Sequence, residues 1–260
     1  MLTLPGPLFL AFSFTALRHW VERAACKVFP PVCVIPDSGW ISWNLFLAAI
    51  PLGISFWLFR RAQHGRQPGR QPGRQPGRLG QRSGWWWLLF AVYLAFLPNA
   101  PYLLTDIIHS ISAARMQYSV WVMTLFVIPM HFVAIVGGFE AYVIALINQQ
   151  HYLVRRGLAR WVNATELVTH ALCALGIYLG RFERLNSWDL VQEPTLVIIR
   201  LLNNLTARRP VLVIVITFVI ITVLYWCMKQ ITLGLVLRYR QVRAGDPYGL
   251  KTALAQTPKS

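Results

Sequence analysis

Apolar runs of about twenty residues recur five times along this chain, at 40–59, 85–104, 118–147, 159–179 and 211–237. A helix rising about 1.5 Å per residue needs a run of that length to cross about 30 Å of hydrocarbon. Backbone inside lipid has no water to bond with, so each run must satisfy its own donors and acceptors as a helix. The expected fold is therefore all-α, a polytopic transmembrane helical bundle. Charge agrees: only 13% of the side chains are charged, about half the share usual in a soluble domain.

The runs are not uniform. The second opens on Trp85-Trp86-Trp87, an aromatic anchor at headgroup depth, and stays cleanly apolar only to Leu97. It reaches spanning length only by continuing across Pro98 and Pro101. The third contains Pro129, His131 and Glu140, with His131 expected near mid-membrane, and the fourth contains Glu166 and His170. Residues 1–39 form an N-terminal segment with a shorter apolar stretch near 7–20 that runs into Arg18, Glu22, Arg23 and Lys27. That stretch reads as an extra span or as a helix lying in the interface. It lacks a basic flank before the run and a small-residue cleavage site after it, so insertion through the chain's own helices is expected.

A formal charge of +16 would point to nucleic acid in a soluble protein. Here the arginines sit between spans and line up on no recognition element, so no nucleic-acid partner is expected and they set orientation instead. The loop 60–82 holds seven arginines, including three copies of Gln-Pro-Gly-Arg, a low-complexity stretch with no apolar residues to pack. Arg155, Arg156 and Arg160, and the basic tail 238–260, fall on the same side if five spans are right, and that side is then cytoplasmic. The loop after the fourth span is mixed in sign. Cys26 and Cys33 flank Pro30 and Pro31, and both a disulfide and two free thiols stay open there; Cys173 and Cys227 read as small apolar residues within spans.

Two polar stretches stand out. In Leu97-Pro98-Asn99-Ala100-Pro101-Tyr102 the prolines remove two backbone donors and break the helix, and Asn99 is suited to bond a freed carbonyl. Beyond the break Thr105 can cap a short helix on which Asp106 and His109, three apart, share a face. That spacing serves a plain hydrogen bond first, then a catalytic or ligand contact, and last a metal. In Gly176 to Asp189, the Gly176/Gly180 pair lets another helix approach closely. Arg181 and Arg184 can together grip a carboxylate or phosphate, with Asn186 and Asp189 in the turn that follows. The chain crosses the membrane twice between these stretches, so both lie at one boundary. Glu140, Glu166 and His170 lie deeper, and interhelical hydrogen bonds, Asn44's among them, are preferred over a proton relay. Common enzyme motifs are missing: no Gly-x-Ser-x-Gly, His-Glu-x-x-His, phosphate-binding glycine loop or Cys-x-x-Cys.

Trp43-Asn44-Leu45-Phe46-Leu47-Ala48, the Pro98–Pro101 stretch with Thr105, Asp106 and His109, and the 176–189 stretch together resemble a family of bacterial predicted membrane proteins catalogued as domain of unknown function 1361. The resemblance covers roughly residues 40–225. It implies an inner-membrane protein, another helix before Trp40, and membership of Asn99, Asp106, His109, Arg181, Arg184 and Asp189 in the family pattern; Glu140 and Glu166 gain nothing from it. The leading expectation is an extracytoplasmic polar pocket from the second and fourth spans. Asn99, Asp106, His109, Arg181, Arg184 and Asp189 would bind an anionic small molecule or lipid headgroup, and Asp106 and His109 are the catalytic candidates. A small transporter and a structural or assembly subunit with a membrane-protein partner are the rivals, with a metal hydrolase using Asp106 and His109 behind them. No cofactor is expected, and membrane lipids are the surrounding partner.

Overall fold

The computed structural model describes residues 7–28, 39–60, 84–106, 119–183 and 208–244, together with 193, 195, 197, 199, 200 and 203. Among the described residues every regular element is helical and there is no strand. Helix α1 spans Pro7–Val28. Helix α2 covers Gly39–Ser55 and closes in a π turn, Phe56–Arg60. Helix α3 covers Gly84–Phe96, and α4, Asn99–Tyr102, continues it into a 3-10 turn, Leu103–Asp106. Helix α5 runs Val120–Arg155 with a π turn at Met123–Val127. Helix α6, Val162–Phe182, follows a 3-10 turn at Ala159–Trp161, and α7 is Arg208–Arg243.

Five segments are long and apolar enough to cross a membrane: Gly39–Arg60, Gly84–Asp106, Val120–Arg155, Ala159–Phe182 and Arg208–Arg243. The chain is a multi-pass membrane protein, all-α, with five helices of spanning length as its sequence predicts. Helix α1 is not among the five. It continues past its charges because Arg18 Nε pairs with Glu22 Oε1 one turn on, at 2.8 Å, and it leans on the start of α2 through Val21, which packs with Trp43 and Leu47. A Cβ at Gly39 would stand 3.0 Å from Glu22, so the two helices meet closely there. Cys26, near the end of α1, is disulfide-bonded, while Cys173 and Cys227 are free; Cys33 lies outside the described residues.

The third span runs past the predicted 147 because its polar last turns find partners inside the bundle. Asn148 and Gln149 are buried, and Gln149 Oε1 accepts from Tyr93 OH at 3.0 Å. The helix stops at a glycine. Gly157 takes φ of 75°, Leu158 N bonds Leu153 O at 3.0 Å and Gly157 N bonds Val154 O at 3.0 Å. This double closure on a left-handed residue ends the helix and reverses the chain within two residues.

The proline break between α3 and α4 is shallow. Tyr102 N still reaches Pro98 O at 3.0 Å, and Asn99 Nδ2 donates to Phe96 O at 3.0 Å, the role its position predicts. What holds the break is close packing. Leu97, Ala100 and Leu103 are buried with Tyr93, Tyr142, Ala174 and Ile177 in one core. A Cβ at Gly176 of α6 would lie 2.8 Å from two carbons of Pro98, and one at Gly138 of α5 would lie 2.9 Å from Leu103 Cδ1. The sequence reading of Gly176 as a close-approach position holds, with the broken helix as the neighbour. Gly176→Ala is expected to destabilise the protein by about 1–3 kcal/mol, the usual cost of overpacking a filled core. Gly53→Ala, which would meet nothing within 4 Å, should leave stability unchanged. Thermal unfolding of both variants in detergent checks the pair.

Candidate functional site

Three helices converge on one carboxylate. Asp106, the last residue of the 3-10 turn after α4, is 1% exposed. Asn44 Nδ2, from the second turn of α2, donates to its Oδ2 at 2.7 Å. Arg181, in the last turn of α6, approaches Oδ1 through Nη1 at 3.4 Å. The same guanidinium donates from Nη2 to Thr105 O at 3.0 Å and from Nη1 to Tyr102 OH at 3.3 Å. Its Cζ stands 5.7 Å from the centre of the Tyr102 ring. A buried carboxylate is tolerable only with such partners, because desolvation must be offset by charge and hydrogen bonds. Thr105 does not cap a helix as its sequence suggests: it sits inside the 3-10 turn, and Oγ1 donates back to Tyr102 O at 2.7 Å.

The two stretches singled out in the sequence therefore meet, through Asp106 and Arg181. Asn99 directs Nδ2 to the backbone at the break rather than to this cluster. His109, Arg184 and Asp189 lie outside the described residues. Asn44 and Tyr102 join the site without being expected there from the sequence. For Asn44 a signal existed: a lone amide in an apolar helix needs a partner, and its turn of α2 lies at the Asp106 boundary. Beyond α6, Arg200 continues the polar end by donating to Glu183 O at 3.2 Å.

A second polar network lies near the other end of the bundle. Glu166 Oε2 accepts from Gln150 Nε2 at 2.6 Å and from Lys229 Nζ at 3.2 Å. Gln150 also donates to Tyr225 OH at 2.8 Å. His170 is fully buried, bonds Tyr142 OH through Nδ1, and sets Nε2 3.9 Å from Glu166 Oε1. Glu140 accepts from Thr232 Oγ1 of α7 at 2.7 Å. Glu140, Glu166 and His170 thus make the interhelical bonds preferred on sequence grounds, with α7 as partner of Glu140, α5 as partner of His170, and both as partners of Glu166. His131 packs beside Trp40 of the first turn of α2, ring centres 5.4 Å apart, and its Nδ1 bonds Val127 O of its own helix at 2.7 Å. Among the described residues no group of three or more His, Cys, Asp or Glu side chains is placed to hold a metal.

Asn44 and Asp106 should be energetically coupled. In a double-mutant cycle with Asn44→Leu and Asp106→Ala, the coupling is expected at about 1.5–3 kcal/mol, the range for hydrogen bonds to charged groups. Unfolding free energies measured in detergent check it. Additive losses would mean the 2.7 Å contact contributes nothing.

No curated protein and no solved structure matches the chain. A family model does, over residues 43–223, from the turn that carries Asn44 to the middle of α7, and it is described as a protein of unknown function, DUF1361. The Asp106 cluster falls inside that match, whereas Tyr225, Lys229 and Thr232 of the second network lie past its end, and this multi-pass membrane protein belongs to the DUF1361 family.

Proposed function

We propose that the protein binds an anionic group, a small anion or a lipid headgroup, at the extracytoplasmic end of the bundle in a bacterial inner membrane. Arg181 and Arg184 hold the anion, and Asp106 and His109 orient it or act on it. The carrying observation is the state of Arg181. Three of its five N–H donors are engaged by Asp106, Thr105 and Tyr102, while the side chain is 20% exposed above a carboxylate that is 1% exposed. Asp106 thus acts as a positioning residue that fixes the guanidinium plane, and two donors remain for a ligand. A planar guanidinium held this way suits the paired oxygens of a carboxylate or phosphate.

Two independent features support the orientation. The arginine-rich connections fall at the end opposite Asp106, which the positive-inside rule makes cytoplasmic. The disulfide at Cys26 sits on α1 beside the start of α2, and disulfides persist on the oxidising side of such a membrane.

A second reading, a structural or assembly subunit, draws on the sealing of Asp106, since a clamp needs no ligand. The transporter reading has less support, because the broken span is packed tightly against Gly138 and Gly176.

The test is thermal unfolding of the purified protein with inorganic phosphate, sulfate or phosphatidylglycerol. At about 100 times Kd the effective ligand should stabilise the wild type by about 2.7 kcal/mol. Arg181→Gln should fold and lose that gain, and Arg181→Lys should keep only part of it. If no anion stabilises the wild type, or if Arg181→Gln folds and responds like the wild type, the clamp replaces the binding site.

A further inference from the structure

The end of the bundle opposite Asp106 gathers positive charge around one histidine. His151, near the end of α5, lies within electrostatic reach of Arg155 on its own helix, Arg60 at the end of α2 and Arg240 near the end of α7. All four residues are exposed. Of the nearby carboxylates, Glu166 on α6 pairs with Lys229 and Glu140 on α5 accepts from Thr232 of α7, so both are directed at partners other than these cations.

Arg60 is aimed from below by buried amide chemistry. Its Nε donates to Asn148 Oδ1 at 2.9 Å, and Asn148 Nδ2 donates to Ser55 Oγ at 2.9 Å. Asn148 is 1% exposed and Ser55 0%. The guanidinium rests on Phe56, Cζ 4.6 Å from the ring centre. Holding the group by Nε leaves both Nη atoms for an outside acceptor. The π turn that closes α2 sets Arg60 here, one residue after the buried Phe59.

The surroundings place these cations at lipid headgroup depth. Trp57 on α2 and Trp85 and Trp87 at the start of α3 are exposed at the same end, and tryptophans concentrate at the membrane–water boundary. Exposed Phe56 and Val154 continue the apolar side below them. A phosphate carried on acyl chains fits both features, whereas a soluble phosphate would use only the first.

We infer that Arg60, His151, Arg155 and Arg240 form a binding site for the phosphate of an anionic phospholipid. The site is separate from the Asp106 cluster and stands or falls independently of it.

The test is native mass spectrometry of the full-length protein in detergent, titrated with cardiolipin and, separately, with phosphatidylcholine. Wild-type protein should retain cardiolipin preferentially. The triple variant Arg60→Gln, Arg155→Gln, Arg240→Gln should bind it at least tenfold more weakly while still unfolding cooperatively. The double variant Arg155→Gln, Arg240→Gln, which leaves the Arg60–Asn148 bond in place, should also lose affinity with an unchanged unfolding temperature. A control with the same loss of charge at the other end, Arg23→Gln, Arg208→Gln, Arg209→Gln, should stay within twofold of wild type. Three results would overturn the site: unchanged retention in the first triple variant, an equal loss in the control, or inorganic phosphate binding the patch as tightly as cardiolipin does.

Discussion

Putting a carboxylate between helices in a chain so poor in charge imposes a condition that much of the architecture meets. An isolated ion carries a desolvation cost of several kcal/mol, and only close, well-directed partners offset it. Asp106 gets an amide from α2 and a guanidinium from α6. Asn44 lies 62 residues before Asp106 and Arg181 lies 75 residues after it, so the requirement of one side chain fixes the mutual placement of three spans. The glycines serve the same geometry. Gly176 and Gly138 let the broken third helix seat deeply enough for Asp106 to be sealed.

Much of this was legible in the sequence, for reasons particular to lipid. The number and type of elements follow from hydrocarbon thickness and the need for internal backbone bonding, while the ends are less legible: α5 runs to Arg155 and α7 to Arg243, past the apolar stretches that announce them. The end of α5 was hidden because Asn148, Gln149 and Gln150 read as a loop until Ser55, Tyr93 and Glu166 are known to face them. The meeting of the Asp106 and Arg181 stretches followed from counting crossings. The partner of Asn44 did not, because periodicity says which boundary a residue occupies but not which neighbour it turns toward. His131 shows the same limit: its neighbour Trp40 lies 91 residues earlier in the chain, and no periodicity pairs the two.

The bundle divides its polar chemistry between its ends. At one, a buried acid and a partly exposed arginine are locked together by backbone and tyrosine contacts. Toward the other, Glu166, Gln150, Lys229 and Tyr225 tie α5, α6 and α7, and Asn148 links Ser55 of α2 to Arg60. Between them lies the apolar core of Tyr93, Leu97, Tyr142 and Ala174. Each network uses residues from at least two helices distant in sequence, so each confers register as well as stability.

The separation of Asp106 from Arg181 also bears on how the protein is made. The span ending in Asp106 leaves the ribosome before the arginine that balances it exists. At about 5–20 residues per second the intervening 75 residues take roughly 4–15 seconds to synthesise. For that interval Asn44, already made, is available as a partner and Arg181 is not. The third helix must therefore wait at the insertion machinery or in the membrane with its acid incompletely compensated, and α6 completes the assembly when it arrives.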